Sequence, residues 1–249
     1  FSILDDLVRR VGGDAVSTHA LAPAGVDSHT FEPAPADIGT LVDADLVFAI
    51  GLDYEPWLDG LIASSGTSAP VILVSEHVTP LTFGDDHDED ADGDHADEHA
   101  DDEHADDDNA GHDDHGHGAF DPHIWHDVTN AIIIVETVRD ALAEADPDNA
   151  ATYEANAAAY IAELEALDAW VMEQVATLPE DQRRLVTSHE ALAYYANRYG
   201  FEMVGTVFGT LSTEAGDPAA ADIARLVAEI QAQNVPAIFA ENTSNPDLM

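Results

Sequence analysis

The sequence contains no cysteine and no lysine, and each absence restricts what the chain can bind. Without cysteine there are no disulfides and no thiolate ligands, so histidine, aspartate and glutamate remain as possible metal ligands. No stretch approaches the about 18 consecutive apolar residues that a membrane-spanning helix requires. Apolar residues still make up 45% of the chain, which is enough to bury a core.

Positive charge is scarce, with 7 arginines against 51 acidic residues in a chain of 249. Residues 85–117 hold 17 of these acids, so most of the acidity belongs to the rest of the chain. A surface this acidic repels itself in dilute buffer, and salt screens the repulsion, which predicts adaptation to a saline medium. Nucleic acids and anionic membranes are poor partners for such a surface, whereas divalent cations are good ones.

Helix-like and strand-like segments alternate along the chain. The apolar periodicity predicts strands at 15–23, 46–51, 70–76, 184–189, 201–208 and 236–242. Helices are predicted at 2–11, 36–44, 57–66, 128–145, 190–200 and 217–234. This alternation predicts an α/β fold with mainly parallel sheets.

One tract, residues 149–178, has helical character without glycine or proline. A helix of this length spans roughly 45 Å, more than one small lobe needs, so we expect a rigid helix that joins two lobes. We expect its Tyr153, Tyr160, Trp170 and Met172 to be ordinary core contacts. The predicted units are an N-terminal lobe (1–145), a linking helix (146–179) and a C-terminal lobe (180–249) that we expect to be truncated.

An acidic, low-complexity insert interrupts the first lobe at residues 85–118 and is expected to be disordered. It contains seven histidines, namely His87, His95, His99, His104, His112, His115 and His117. A solvated linker needs no histidine, so the composition favours an auxiliary arm that collects metal weakly.

Three other histidines lie where strands end or loops begin. His29 lies in a loop rich in proline, His123 follows the insert, and His189 ends a predicted strand. Ligands of open α/β sheets bind beyond the carboxyl ends of the strands, so these side chains can converge in one crevice. Three imidazoles with a carboxylate make a tetrahedral zinc site. Their spacing alone is weak evidence.

The segments around these histidines carry a stronger signal. In order and at suitable intervals they resemble the motifs of the cluster A-I solute-binding proteins, the zinc- and manganese-binding receptors of ABC importers. The matching segments are GVDSHTFEPAPADI (25–38), DPHIWHD (121–127), TSHEALAYYANRYGF (187–201) and PAIFAENTSNP (236–246). The resemblance covers essentially the whole chain.

This resemblance implies a two-lobed receptor that binds metal between the lobes through His29, His123 and His189. The family's fourth ligand is often an aspartate, which would lie beyond Met249. Glu241 and His126 are candidates for a supporting contact or for the fourth position. Manganese members commonly replace the third histidine by glutamate, so we expect Zn²⁺, with Mn²⁺ as the alternative.

The resemblance also implies a partner and a location. We expect a monomer that delivers its metal to the membrane permease of an ABC importer and catalyses no reaction. It would be extracytoplasmic and anchored to the outer face of the cytoplasmic membrane through a segment upstream of residue 1.

Two other classes of protein remain open at this point. A zinc hydrolase would need a general base beside the metal, and Glu190 and Glu241 are the nearby candidates. A zinc buffer would depend on the histidines of the insert rather than on those of the motifs.

Overall fold

The computed structural model describes residues 1–82, 119–208 and 219–242. The predicted insert and its seven histidines therefore lie outside the described residues, as does the chain after Asn242. Within the described ranges, helices alternate with parallel strands, which confirms the predicted α/β fold.

Apart from the strand predicted at 15–23, the elements follow the predicted order, and most of them are shorter than predicted. The helices are α1 (Ser2–Gly12), α2 (Pro35–Val42), α3 (Leu58–Ser65), α4 (Val128–Ala145), α5 (Ala150–Ala176), α6 (Ala193–Tyr199) and α7 (Ala220–Gln233). The strands are β1 (Val47–Ala49), β2 (Val71–Leu73), β3 (Arg184–Thr187), β4 (Glu202–Thr206) and β5 (Ile238–Phe239).

The strands form two sheets in which each pairing is parallel. In the first sheet β1 pairs with β2, with Val47 opposite Val71. In the second sheet β3 lies between β4 and β5. Because paired strands run in the same direction, the carboxyl ends within each sheet lie at one edge, where loops can present side chains to a common site.

The larger core lies where α1, α4 and α5 pack together. Helix α1 buries Leu4, Leu7, Val8 and Val11, the spacing that places side chains on one face of a helix. Helix α4 presents a similar stripe, and its Ile134, Val135 and Val138 are fully buried. This packing fixes the position of α4 and therefore of the segment before it, which contains His123.

Helix α5 is the long helix that the sequence predicts, with 27 residues and a length of about 40 Å. Tyr153, Ala157 and Leu164 are buried in the larger core. Further along, Asp168 forms a salt bridge with Arg198 of α6, so α5 also contacts the segment that carries β3 and β4. The division into two lobes and the rigidity of α5 stay predictions.

Two expectations about side chains and strands are wrong. Trp170 and Met172 are 56% and 45% exposed, because α5 has passed the α1–α4 core at that point. Residues 15–23 form no strand. Val16 is extended (φ −123°, ψ 154°), but in the part of the chain that the structure describes no strand pairs with this segment, and a ladder needs a partner.

In residues 1–82, 119–208 and 219–242, no helix combines the length and the hydropathy of a membrane span.

Candidate metal centre

His123 lies at the point where the chain enters α4. Thr82 and Phe120 form an antiparallel bridge, and the Asp121 N–H donates to the carbonyl of Leu81 at 2.8 Å. The two stretches that flank the insert are thus held together. After Pro122, a short 3-10 turn (Ile124–His126) leads into α4. His123 is 2% exposed and cannot move without disturbing the core.

His29 is presented by a loop whose backbone is fixed by side chains. The Asp27 carboxylate accepts the His29 backbone N–H at 2.9 Å. The Trp57 indole donates to the carbonyl of Ser28 at 2.7 Å, and its ring meets Phe31 edge-on at 4.9 Å between centroids. Polar and aromatic contacts thus hold the loop of His29 in place, although it belongs to no helix or strand.

His189 follows the carboxyl end of β3. The Thr187 hydroxyl donates to the carbonyl of His189 at 2.7 Å. The backbone N–H of Ser188, the residue before His189, donates to the carbonyl of Phe239 in β5 at 3.1 Å. His189 is therefore held by the second sheet, whereas His29 and His123 come from segments associated with the first.

The three imidazoles converge through their Nε2 atoms. The Nε2 atoms of His29 and His123 are 3.1 Å apart, and those of His189 and His123 are 3.3 Å apart. A tetrahedral zinc ion with Zn–N bonds of about 2.0–2.1 Å separates its ligand atoms by about 3.3–3.4 Å. The observed spacing is close to the edge of such a tetrahedron, and the three form a group that can hold a metal ion.

Carboxylates stand behind two of the rings. Asp121 Oδ1 lies 2.7 Å from His123 Nδ1 and also accepts the His123 backbone N–H at 2.9 Å. Glu241 Oε1 lies 2.9 Å from His189 Nδ1, within the distance of an ion pair. A proton held on Nδ1 leaves the Nε2 lone pair for a metal, the usual role of a carboxylate behind a ligating histidine.

The surroundings keep two of the imidazoles, those of His29 and His123, neutral. Burial lowers the pKa of His29 to about 3, with a further contribution from the neighbouring His123. Burial also lowers the pKa of His123 to about 3, with a contribution from His189. For the Asp121 carboxyl, burial raises the pKa to about 6. At neutral pH, His29 and His123 are therefore uncharged and have no proton to lose before they bind a metal.

Aromatic side chains close one side of the cluster. The Tyr54 ring meets His29 edge-on at 4.5 Å and Trp125 at 5.1 Å between centroids, and Trp125 lies 5.5 Å from the His123 ring. These rings cover part of the His29 and His123 imidazoles and so contribute to the burial that lowers the pKa values of these two side chains.

The turn that delivers Tyr54 has an unusual backbone. Gly51, Leu52 and Asp53 have positive φ angles of 80°, 54° and 58°, a region that non-glycine residues seldom adopt. The Glu55 carboxylate accepts the backbone N–H groups of Ile50 and Gly51 at 3.0 and 3.3 Å. These bonds offset the strain of the turn.

The remaining candidates lie away from the three converging nitrogens. His126 packs against Trp125 at 5.4 Å, and burial lowers its pKa to about 4, but it does not belong to the group that can hold a metal. Glu190 is exposed, as are His19 and His77. The histidines of the insert lie outside the described residues.

Sequence reasoning missed the residues that orient the histidines. Asp121 was visible in DPHIWHD, two positions before His123, where a short carboxylate side chain can reach the imidazole. Tyr54, whose ring contacts His29, gave no comparable signal, because its distance from the cluster in sequence says nothing about its position in the fold.

Known proteins resemble this chain over nearly its whole length. The model of the family described as zinc-uptake complex component A, periplasmic (ZnuA), matches residues 1–249. The manganese-binding lipoprotein MntA of Halalkalibacterium halodurans is 34% identical over 249 residues, which are all of this chain and 71% of the relative. The iron-binding protein YfeA of Yersinia pestis is 29% identical over 243 residues, covering 98% of this chain and 68% of the relative.

Solved structures show the same likeness. The crystal structure of ZnuA superposes with a TM-score of 0.76 at 29% identity and covers 98% of this chain and 82% of its own. A ZnuA deletion mutant with zinc bound gives a TM-score of 0.74 at 28% identity, covering 97% and 78%. Since the family model spans the whole sequence and a relative exceeds 30% identity, the chain belongs to the zinc-uptake complex component A family.

Proposed function

We propose that this chain is the substrate-binding receptor of an ABC importer and that its cargo is Zn²⁺, held by His29, His123 and His189. The observation that carries the proposal is the convergence of three buried or half-buried Nε2 atoms at 3.1 and 3.3 Å along two edges. When Nδ1 carries the proton, the three Nε2 lone pairs face a common point, which is the arrangement that a metal cation requires.

The hydrolase alternative is set aside. Members of this family are substrate-binding receptors rather than enzymes. Glu241, one of the candidate bases, faces the Nδ1 side of His189 rather than the Nε2 side. We propose that Glu241 supports His189 from its Nδ1 side. The alternative is that Glu241 takes the fourth ligand position.

The donor set favours zinc over manganese. Imidazole nitrogen suits zinc, whereas a shell rich in carboxylate oxygen suits manganese. Here Asp121 and Glu241 lie beside Nδ1 atoms rather than among the converging Nε2 atoms. Mn²⁺ remains the alternative cargo, since the MntA relative is named for manganese.

Titration with each metal tests the choice of cargo. We expect the wild-type Kd for Zn²⁺ to be at least about a thousandfold lower than that for Mn²⁺, measured by competition with a chelator. Because any nitrogen-rich site prefers zinc to some degree, the matched variant is His189→Glu, which replaces one imidazole by a carboxylate. It should narrow the ratio by about tenfold or more. Wild-type Kd values within tenfold of each other would contradict the zinc assignment.

The partner and the location follow from the proposed role. A relative in Streptococcus gordonii is named a manganese ABC transporter substrate-binding lipoprotein. We infer that this chain likewise acts outside the cytoplasm as a monomer and passes its cargo to a membrane permease. Anchoring to the outer face of the cytoplasmic membrane belongs to the same proposal.

The seven histidines of the insert are proposed to collect zinc weakly near the site. Deleting residues 85–117 should leave one tight site, with a Kd changed by less than about threefold, and remove the weaker equivalents seen by calorimetry.

A second variant separates histidine chemistry from charge. Replacing the seven histidines by asparagine keeps the length and the acidity of the insert and should remove the same weak equivalents. Loss of the tight site in either variant would favour the zinc-buffer alternative, in which the insert itself is the binding element.

A further inference from the structure

Tyr194 joins three parts of the chain through one hydroxyl group. It lies in α6, five residues after His189, and is 3% exposed. Its hydroxyl accepts the Leu81 backbone N–H at 2.9 Å and donates to the carbonyl of Asp121 at 2.8 Å. The Asp121 N–H in turn donates to the carbonyl of Leu81 at 2.8 Å. The phenol therefore closes a small ring of hydrogen bonds with the two stretches that flank the insert.

One member of this hydrogen-bonded ring, Asp121, contacts the metal-binding candidate His123 directly. Asp121, whose carbonyl accepts from Tyr194, holds both the backbone N–H and Nδ1 of His123 with its carboxylate. Tyr194 itself belongs to the segment that begins with His189. A continuous path of hydrogen bonds thus runs from α6, which follows His189, through Tyr194 and Asp121 to His123.

We propose that Tyr194 is a positioning residue that sets the distance between His123 and His189 by holding Asp121 in register with α6. The inference rests on the proposed function, since it assigns Tyr194 a role in metal binding. His123 and His189 come from segments associated with different sheets, and their Nε2 atoms are only 3.3 Å apart. An error of 1 Å in the relative placement of these segments would open that edge beyond what one metal ion can bridge.

The chemistry of the phenol fits this role. Burial raises the pKa of Tyr194 to about 12, so the hydroxyl keeps its proton and can donate and accept at the same time. A phenylalanine would fill the same space but would leave the Leu81 N–H and the Asp121 carbonyl without this partner. The alternative is that Tyr194 only packs, since its ring also belongs to the larger core.

The variant Tyr194→Phe separates these roles, and Tyr199→Phe is its matched control. Tyr199 lies in the same helix, is also buried, and donates to Asp168 Oδ1 at 2.8 Å, away from the histidines. We expect Tyr194→Phe to raise the Kd for Zn²⁺ by about tenfold to a hundredfold, the range typical of groups that orient metal ligands. Tyr199→Phe should change it by less than about threefold. Equal Kd values for Tyr194→Phe and wild type would overturn the inference.

Coupling to Asp121 tests the path itself. In an Asp121→Asn background the effect of Tyr194→Phe on Kd should shrink to less than about threefold, whereas in a Glu241→Gln background it should keep its full size. If Tyr194→Phe raised the Kd as much in the Asp121→Asn background as in the wild type, Tyr194 would have only a packing role and the inference would be overturned.

Folding is checked by the melting temperature of each metal-free variant. If Tyr194→Phe fails to fold, 3-fluorotyrosine at position 194 keeps the ring and the hydroxyl but weakens the hydroxyl as an acceptor, and a raised Kd is expected there too. An unchanged Kd in that variant would overturn the inference. A wild-type protein that binds no zinc would instead refute the proposed function on which the inference rests.

Discussion

Replacing His29, His123 or His189 by alanine is expected to raise the Kd for Zn²⁺ by about 10²–10³-fold in each case. Structural zinc sites with four protein ligands bind with about 10–16 kcal/mol, so one ligand contributes about 2.5–4 kcal/mol. The three Nε2 atoms lie within 4.8 Å of one another, so each loss removes one bond to the same ion. Calorimetry with a competing chelator measures the change.

The control for this series is His19→Ala. His19 is exposed and does not belong to the cluster, so its replacement should leave the Kd within about twofold. Since His123 is buried, His123→Asn serves as a less disruptive variant, and the melting temperature of each metal-free protein shows whether it folds. Tight binding at full stoichiometry in two of the three single variants would refute the assignment.

Zinc binding should resist acid far better than three ordinary imidazoles would. With each pKa at about 6.5, proton competition would weaken binding about 600-fold between about pH 7 and pH 5.5. Burial lowers the pKa values of His29 and His123 to about 3, so protons scarcely compete for these two rings in that range. We expect a weakening of about tenfold or less, to which the Asp121 carboxyl, with a pKa raised by burial to about 6, contributes.

The sign of this effect follows from the neutral state of the ligands. A lowered histidine pKa favours the uncharged ring that a metal requires, so affinity is kept as the pH falls until the lowered pKa is approached. Zinc affinity measured at both pH values with a chelator calibrated at each pH decides the matter. A loss of several hundredfold would show that the imidazoles titrate as if exposed to water, contrary to the buried geometry.

Much of the fold was predictable because it depends on local patterns. The stripe of Leu4, Leu7, Val8 and Val11 and the uninterrupted tract of α5 are visible in the sequence, and the structure contains both helices. The strand predicted at 15–23 failed for a physical reason, because a strand exists only through its partner. The prediction that Trp170 lies in the core failed for a similar reason, since an apolar residue in a helix is buried only where another element covers it.

The site was predictable to a different extent. The motifs around His29, His123 and His189 selected three of 13 histidines, and the structure brings those three together. What orients the rings was not predictable in full. Asp121 lies two positions before His123 in sequence, whereas Tyr54 contacts His29, and Tyr194 contacts the carbonyl of Asp121, from distant segments.

The sequence by itself determined the kinds of ligand available, the alternation of helices and strands, and the acidity of the surface, whose adaptation to salt stays a prediction. These properties depend on composition and on neighbours in the chain. Only the tertiary structure decided that Nε2 rather than Nδ1 faces the site, that burial keeps His29 and His123 neutral, and that Tyr194 ties Asp121 to α6. Those properties arise from desolvation and from distances between residues far apart in sequence, here 94 positions for His29 and His123, which local patterns do not specify.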